Sequence, residues 1–102
     1  MSNVTATTLS WESGDGLLHL RGVLDRETLL PLWQQRDSIM QHTACIDVAA
    51  LERVDSAGLA LLVHLQQSVR QRGESLRFTG ITDKLDSLIT LYNLQDIIRA
   101  AH

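Results

Sequence analysis

The stretch from Val54 to Leu65 (VDSAGLALLVHL) constrains the fold more than any other part of the sequence. Asp55 is a typical helix N-cap, because its carboxylate can accept hydrogen bonds from the first unpaired backbone N–H groups of a helix. Val54 before the cap and Leu59 after it are spaced as a hydrophobic staple. The pattern therefore predicts a helix that begins at Ser56. We expect it to run to about Arg72, since the next residue is a glycine that can adopt a left-handed terminating conformation.

Ser56 occupies the first position of this predicted helix. Its hydroxyl lies beside unpaired N–H donors and the positive end of the helix dipole, a setting that tolerates added negative charge. Ser56 can therefore support the cap, accept a phosphate, or contact a partner protein. The residues alone leave all three interpretations open.

The predicted helix is apolar around more than one face. Its apolar side chains are Leu59, Ala60, Leu61, Leu62, Val63 and Leu65. A helix on the surface of a domain usually shows a narrower stripe. One interpretation is that a partner protein covers part of the surface, with Leu61 and Leu65 as candidate contacts. The other is that the helix lies deep between neighbouring elements of its own chain.

Hydrophobic patterning predicts four strands. They are residues 9–12, 17–23, 44–48 and 75–79. The first two are separated by residues 13–16 (SGDG), which tolerate positive φ angles and so predict a hairpin. Leu18 and Leu20 alternate with polar residues and are expected to be buried. Residues 49–53 are expected to form a loop that leads to the Asp55 cap.

Three more helices are predicted around these strands. The first opens at Leu24-Asp25 with Asp25 as its cap, but Pro31 means that it is either kinked or regular only from about Leu30. The second starts at Thr82 and ends at Asn93, and a short last helix covers residues 95–101. Strands that alternate with helices pair in parallel, whereas the hairpin is antiparallel. We therefore predict an α/β fold with a small mixed sheet and flanking helices.

Composition limits the function classes. The 102 residues are 44% hydrophobic and carry a net charge of −3, which indicates one folded domain over residues 1–102, with a loosely ordered N-terminus over 1–8. This charge argues against broad binding to nucleic acids or to anionic membranes. The longest apolar run, 59–63, is too short for membrane insertion, and no signal peptide is recognisable. The single cysteine, Cys45, fits a reducing compartment, so a cytoplasmic protein is expected.

No pattern for catalysis, a metal or a cofactor is present in the sequence. The histidines, His19, His42, His64 and His102, are too widely separated for a metal motif. Cys45 lies in an apolar strand and is expected to be an inert, buried thiol. Asp47 and Asp55 flank the predicted loop and form either a carboxylate pair or, as we favour, a loop-ordering residue and a helix cap.

The residues Asp55-Ser56-Ala57-Gly58-Leu59, after a strand that ends in Ile46-Asp47, resemble the signature of the STAS domain. STAS domains occur in anti-sigma-factor antagonists and in C-terminal segments of sulfate transporters. The resemblance implies a small mixed sheet with flanking helices, in agreement with the element order above. In the antagonists the serine of this motif is phosphorylated by an anti-sigma kinase, and it matches Ser56.

Further blocks at 24–25, 29–33 (LLPLW) and 91–94 (LYNL) resemble the STAS subunits of Gram-negative phospholipid-transporting ABC complexes. The resemblance covers about residues 9–94 and implies a non-enzymatic cytoplasmic subunit that serves outer-membrane lipid asymmetry. It implies that the chain binds the ATPase subunit and, through it, the membrane permease. In these subunits the position of Ser56 holds a hydroxyl residue, usually Thr, that is needed for function.

By this hypothesis the contacts with the partner come from the start of the central helix. The candidate contact residues are Ser56, Ala57, Leu59, Leu61 and Leu65, while Asp55 and Asp47 shape the helix start and the loop. The alternative is an anti-sigma-factor antagonist, in which phosphorylation of Ser56 would release a kinase partner.

Overall fold

The computed structural model describes residues 8–98, which form one four-stranded sheet and four helices. The strands are β1 (Leu9–Gly14), β2 (Leu17–Leu24), β3 (Cys45–Val54) and β4 (Arg77–Thr79). The helices are α1 (Leu30–Gln34), α2 (Arg36–Met40), α3 (Ser56–Gln71) and α4 (Asp83–Leu91). The strand order is β1-β2-β3-β4, with β1 antiparallel to β2 and the other pairs parallel. The predicted mixed sheet is confirmed.

The hairpin turn between β1 and β2 is tighter than predicted. Strand β1 extends to Gly14, which leaves only Asp15 and Gly16 as turn residues, with φ angles of 54° and 80°. Two consecutive positive φ angles match the right-handed twist of the flanking strands. Leu18 and Leu20 of β2 are fully buried, as the alternation predicts.

The predicted loop over residues 49–53 is wrong, because β3 continues to Val54. The register between β2 and β3 shifts twice, so β3 contains extra residues relative to β2. Each such bulge breaks the alternation of side chains. Ala49 and Ala50 are consequently both exposed, whereas Val48 and Leu51 are buried.

The predicted helix start at Asp25 is also wrong. Helix α1 begins at Leu30, the alternative that Pro31 left open, and Pro31 lies in its first turn where no N–H is needed. Asp25 instead stabilises the turn before the helix: its Oδ1 accepts hydrogen bonds from the backbone N–H groups of Glu27 (2.9 Å) and Thr28 (3.1 Å).

Helix α3 has the predicted limits. Its N-cap is Asp55, whose Oδ1 accepts a hydrogen bond of 2.8 Å from the Gly58 N–H. After its last residue, Gln71, the chain turns away at Gly73, which has a φ angle of 78°. Local cap chemistry therefore sets both ends of this helix.

Helix α4 also has the predicted start and end. The Thr82 side chain caps it by accepting from the Leu85 N–H, and Asn93 adopts a φ angle of 59° just beyond it. The Leu94 N–H then donates to the Ile89 carbonyl at 2.9 Å, as in a Schellman ending. The predicted last helix is only a turn over residues 95–97 followed by a bend at Ile98, and its last residues, 99–101, lie outside the described residues, as do residues 1–7.

The core lies between one face of the sheet and the helices. Its fully buried members include Leu18, Leu20, Ile46 and Val48 from the sheet and Leu62 from α3. All of these side chains belong to one continuous cluster. Among residues 8–98, none of the helices has the length and apolar character that crossing a bilayer requires.

Candidate functional site

The candidate site lies where β2 and β3 end side by side. Leu24 and Val54 are paired at the ends of these parallel strands, and each is followed by an aspartate, Asp25 or Asp55. In α/β folds the loops after the carboxyl ends of parallel strands commonly build binding sites. The two strand ends therefore bring the β2–α1 connection next to the start of α3.

Asp55 joins these two segments. Its Oδ1 caps α3 through the Gly58 N–H, and its Oδ2 accepts a hydrogen bond of 3.3 Å from the Arg26 N–H. The Asp55 N–H also donates to the Leu24 carbonyl at 3.3 Å. One carboxylate therefore fixes the helix start and its distance from the neighbouring connection.

Asp25 also belongs to the site. The sequence predicted it as a helix cap and not as a site residue at the end of β2. It is buried, and its Oδ2 accepts a 3.4 Å hydrogen bond from the Arg53 guanidinium. The Arg53 side chain is 71% exposed, so this ion pair adds little stability. The signal that could have found Asp25 is the repeat of an apolar residue followed by Asp after two neighbouring strands.

Gly58 lets α3 approach the end of β2. A Cβ atom at this position would lie 2.2 Å from the Leu24 carbonyl oxygen, a distance that no real side chain tolerates. The motif over residues 55–58 thus has separate physical roles, because Asp55 caps the helix and Gly58 permits the close approach. Ser56, between them, is exposed to solvent.

A polar cleft of about 450 Å³ opens beside Ser56. It is lined by Asp25, Arg26, Glu27, Arg53, Asp55, Ser56 and Ala57. Carboxylates and guanidinium groups are both present, so the cleft offers hydrogen-bond acceptors and donors to a group that approaches Ser56.

An apolar groove of about 220 Å³ adjoins this cleft. It is lined by Leu29, Trp33, Ala57, Ala60, Leu61 and His64. The rings of Trp33 and His64 meet edge to face, with centroids 5.3 Å apart. Since Ala57 lines both the cleft and the groove, they form one surface. We name it the helix-start surface: Ser56, Ala57, Ala60 and His64 of α3 with Leu29 and Trp33.

The leucines predicted as partner contacts lie inside the chain. Leu59, Leu61 and Leu65 are only 2%, 3% and 1% exposed and belong to the core. The helix is therefore apolar on more than one face because it lies deep between neighbouring elements of its own chain, which is the second of the two interpretations left open by the sequence. Of the predicted contacts, Ser56 is at the surface and Ala57 is half-buried, and Leu61 reaches only the base of the groove.

Asp47 and Asp55 do not form a carboxylate pair. Asp47 lies near the beginning of β3 and Asp55 follows its last residue, so the length of the strand separates them. Asp47 Oδ2 lies 2.9 Å from Nδ1 of His19 on β2, and its Oδ1 accepts from the Ala49 N–H at 3.0 Å. Asp47 therefore orders the bulge in β3 instead of the predicted loop.

The thiol of Cys45 is half-buried on the same strand. Burial raises its pKa, the positive charge of Arg77 opposes this effect, and the negative charge of Asp47 raises the pKa further. A raised pKa keeps the thiol protonated at neutral pH, so it is a poor nucleophile. Within residues 8–98 no three His, Cys, Asp or Glu side chains come together as a metal-binding group.

These features match a known class of domain. Residues 7–99 match the family model described as "Mlab, STAS domain". The chain therefore belongs to the STAS-domain family, and the resemblance seen in residues 55–59 is confirmed.

Its relatives identify a particular branch. The chain is 41% identical over 87 residues to the intermembrane phospholipid transport system binding protein MlaB of Escherichia coli K12, covering 85% of this chain and 90% of the relative. The protein of the same name from Haemophilus influenzae is 32% identical over 88 residues, covering 79% and 83%. An anti-sigma-B factor antagonist of Listeria monocytogenes is 33% identical over 69 residues, covering 68% and 58%.

Solved structures support the fold. A putative anti-sigma factor antagonist from Thermotoga maritima superposes with a TM-score of 0.68 at 17% identity, covering 90% of this chain and 84% of that one. The phosphorylated form of the Bacillus cell fate determinant SpoIIAA gives a TM-score of 0.65 at 13% identity, covering 92% and 91%. At these identities the likeness establishes the shared fold alone.

Proposed function

We propose that this chain is a non-enzymatic regulatory subunit of a Gram-negative phospholipid transport system and binds the ATPase subunit of its ABC complex. It acts in the cytoplasm, is held at the inner membrane through that partner, and serves outer-membrane lipid asymmetry. The observation that carries this proposal is the 41% identity to the E. coli transport protein, which extends over 85% of the chain.

The helix-start surface is the proposed contact with the ATPase subunit. It combines an apolar groove with an adjoining polar cleft, and protein interfaces usually have an apolar centre and a polar rim. Leu30, next to the groove residue Leu29, is 53% exposed and adds apolar area. Trp33 belongs to a residue type that often dominates the energy of binding.

Ser56 lies where the polar cleft meets α3, and the next residue, Ala57, lines both the cleft and the apolar groove. An exposed hydroxyl at the first position of a capped helix can donate and accept hydrogen bonds with a docked partner. In this arrangement Asp55 acts indirectly, since its carboxylate is already bonded to the N–H groups of Gly58 and Arg26.

Filling the groove tests this surface. We expect Ala60→Leu to weaken capture of the ATPase subunit by about tenfold, because the new side chain occupies space that a partner side chain would fill. Ala60 is exposed on α3 and leucine is a good helix former, so the fold should be kept. Capture on the tagged ATPase subunit measures the effect.

Gln67→Leu is the matched control, since Gln67 is also exposed on α3 but lines neither the cleft nor the groove. It should be captured like the wild type. If Ala60→Leu is captured as well as Gln67→Leu, the groove does not contact the ATPase subunit.

A second candidate function is that of an anti-sigma-factor antagonist. It is favoured by the 33% identity to the Listeria antagonist and by Arg26 and Arg53, which line the cleft beside Ser56 and could pair with a phosphate on it. Phosphate-affinity electrophoresis of protein from native cells, beside Ser56→Ala, separates the two functions. A stoichiometric phosphorylated form that the mutation abolishes supports the antagonist.

A further inference from the structure

We propose that the cleft between α2 and the C-terminal half of α3 binds an oxyanion of the phosphate class through Arg36 and Arg72. This α2–α3 cleft has a volume of about 440 Å³, within the range of small-ligand sites. It is lined by Arg36, Asp37, Met40, Gln41, Leu65, Ser68, Gln71 and Arg72. None of these residues lines the helix-start surface, although Arg36 stacks on Trp33, where the two sites adjoin. The proposal uses different residues from the proposed function and does not rest on it.

The guanidinium group of Arg36 is held in place by Trp33 and not by a carboxylate. It lies 3.8 Å over the centroid of the Trp33 ring, and its Nη1 donates to the Trp33 carbonyl at 2.8 Å. Within residues 8–98 it makes no ion pair with an acidic side chain. A guanidinium has five N–H donors in a fixed fork, so most of them remain for a ligand after this one bond.

Arg72 is the second fixed guanidinium. Its Nη2 donates to the carbonyl of Met40, the last residue of α2, at 3.0 Å, and pairs with Glu74 at 3.0 Å. Glu74 is 62% exposed, so solvent weakens this pair and an incoming anion can compete with it. Both arginines are thus anchored by backbone carbonyls of the α1–α2 segment, which reduces the entropy that a ligand must remove.

The remaining lining suits a small anion. Gln41, Ser68 and Gln71 are exposed on the rim and can donate hydrogen bonds, while the buried Met40 and Leu65 line the cleft with apolar groups. The lining holds two guanidinium groups and one carboxylate, that of Asp37, and Glu74 beside it pairs with Arg72, so Arg36 supplies the positive charge that has no acidic partner among residues 8–98. The C-terminal end of α3 is the negative end of its dipole, so the arginines must provide the attraction. Their planar forks match the oxygen geometry of a phosphate.

Titration with inorganic phosphate tests the site directly. At constant ionic strength, NMR spectra of the ¹⁵N-labelled chain should show saturable shifts in the Nε–H signals of Arg36 and Arg72. Arg36→Gln should weaken binding by about tenfold, because it removes charge-assisted hydrogen bonds. Arg21→Gln is the control: Arg21 is exposed on the sheet and pairs with Glu12, so its loss should leave binding unchanged.

Unsaturable shifts up to tens of millimolar phosphate, or equal binding by Arg36→Gln and Arg21→Gln, would overturn the proposal. Thermal melting identifies any variant that has lost its fold, and Arg72→Gln provides a second test through the other guanidinium.

Vesicles distinguish a lipid headgroup from a soluble phosphate as the source of the anion. If a lipid headgroup is the source, the chain should cosediment with phosphatidylglycerol vesicles but not with phosphatidylcholine vesicles, and Arg36→Gln should abolish this cosedimentation. That result supports the site. Saturable binding of free phosphate without cosedimentation supports the site with a soluble source. Cosedimentation that is the same for Arg36→Gln and Arg21→Gln, without a saturable response to phosphate, contradicts the site.

Discussion

Replacing Gly58 with alanine is expected to lower the free energy of unfolding by about 3 kcal/mol, the upper part of the range for overpacked sites. The added Cβ would lie 2.2 Å from the Leu24 carbonyl oxygen and 3.0 Å from its carbonyl carbon. Neither is the end of a flexible side chain, so α3 must move away from β2. In a helix with free space around the glycine, the same substitution raises the free energy of unfolding by up to about 1 kcal/mol. A decrease therefore indicates that α3 packs closely against the end of β2.

Gly14→Ala is the matched control for this prediction. A Cβ at Gly14 meets no atom within 4 Å, so its effect should stay within about 0.5 kcal/mol. Chemical denaturation of both variants gives the two free energies. A Gly58→Ala protein as stable as the wild type would show that α3 does not approach β2 as closely as described.

Replacing Ser56 with glutamate is expected to weaken binding of the ATPase subunit by about a hundredfold, while the chain stays folded. Ser56 is exposed at the first position of α3, where the helix dipole favours a negative charge, so the isolated chain should tolerate the substitution. In the complex the new carboxylate would be buried in the polar cleft beside Asp25 and Asp55, and its longer side chain would occupy space that the partner fills. Arg26 and Arg53 of the same cleft offset part of the added charge, so the expected loss combines the burial of a charge with steric exclusion of the partner.

Ser87→Glu is the control for Ser56→Glu, because Ser87 is exposed on another helix, α4. It makes the same chemical change away from the helix-start surface and should leave binding unaffected. Equal thermal melting temperatures for the two variants show that any loss of binding is not a loss of fold.

The parts of the fold that depend on local chemistry could be predicted from the sequence. The limits of α3 follow from Asp55 and Gly73, and the end of α4 follows from Asn93 in a left-handed conformation. These residues act on backbone groups within a few positions of themselves, so the sequence shows both partners of each interaction.

The length of β3 could not be predicted in the same way. Its two register shifts relative to β2 place Ala49 and Ala50 on the surface and interrupt the alternation that marks a strand. Such bulges depend on pairing with a strand that is distant in sequence. The same holds for Asp25, whose carboxylate caps a turn before α1 because the end of β2 fixes its position.

The site was only partly predictable for a related reason. The sequence shows that α3 is apolar on several faces, but not whether its own sheet or a partner covers Leu59, Leu61 and Leu65. The sheet and the other helices cover them. The groove on the surface arises instead where the small side chain of Ala60 lies beside Trp33 of α1, a contact between distant segments.

Capture of the chain by its ABC ATPase subunit tests the central claim most directly. Tagged ATPase subunit, purified from cells that express it with the wild type, Ser56→Glu or Ser87→Glu, should retain the wild type and Ser87→Glu at equal ratios. Ser56→Glu should be lost from the complex although it melts at the wild-type temperature. Retention of Ser56→Glu at the wild-type ratio, or failure of the wild type to bind the ATPase subunit, would contradict the claim.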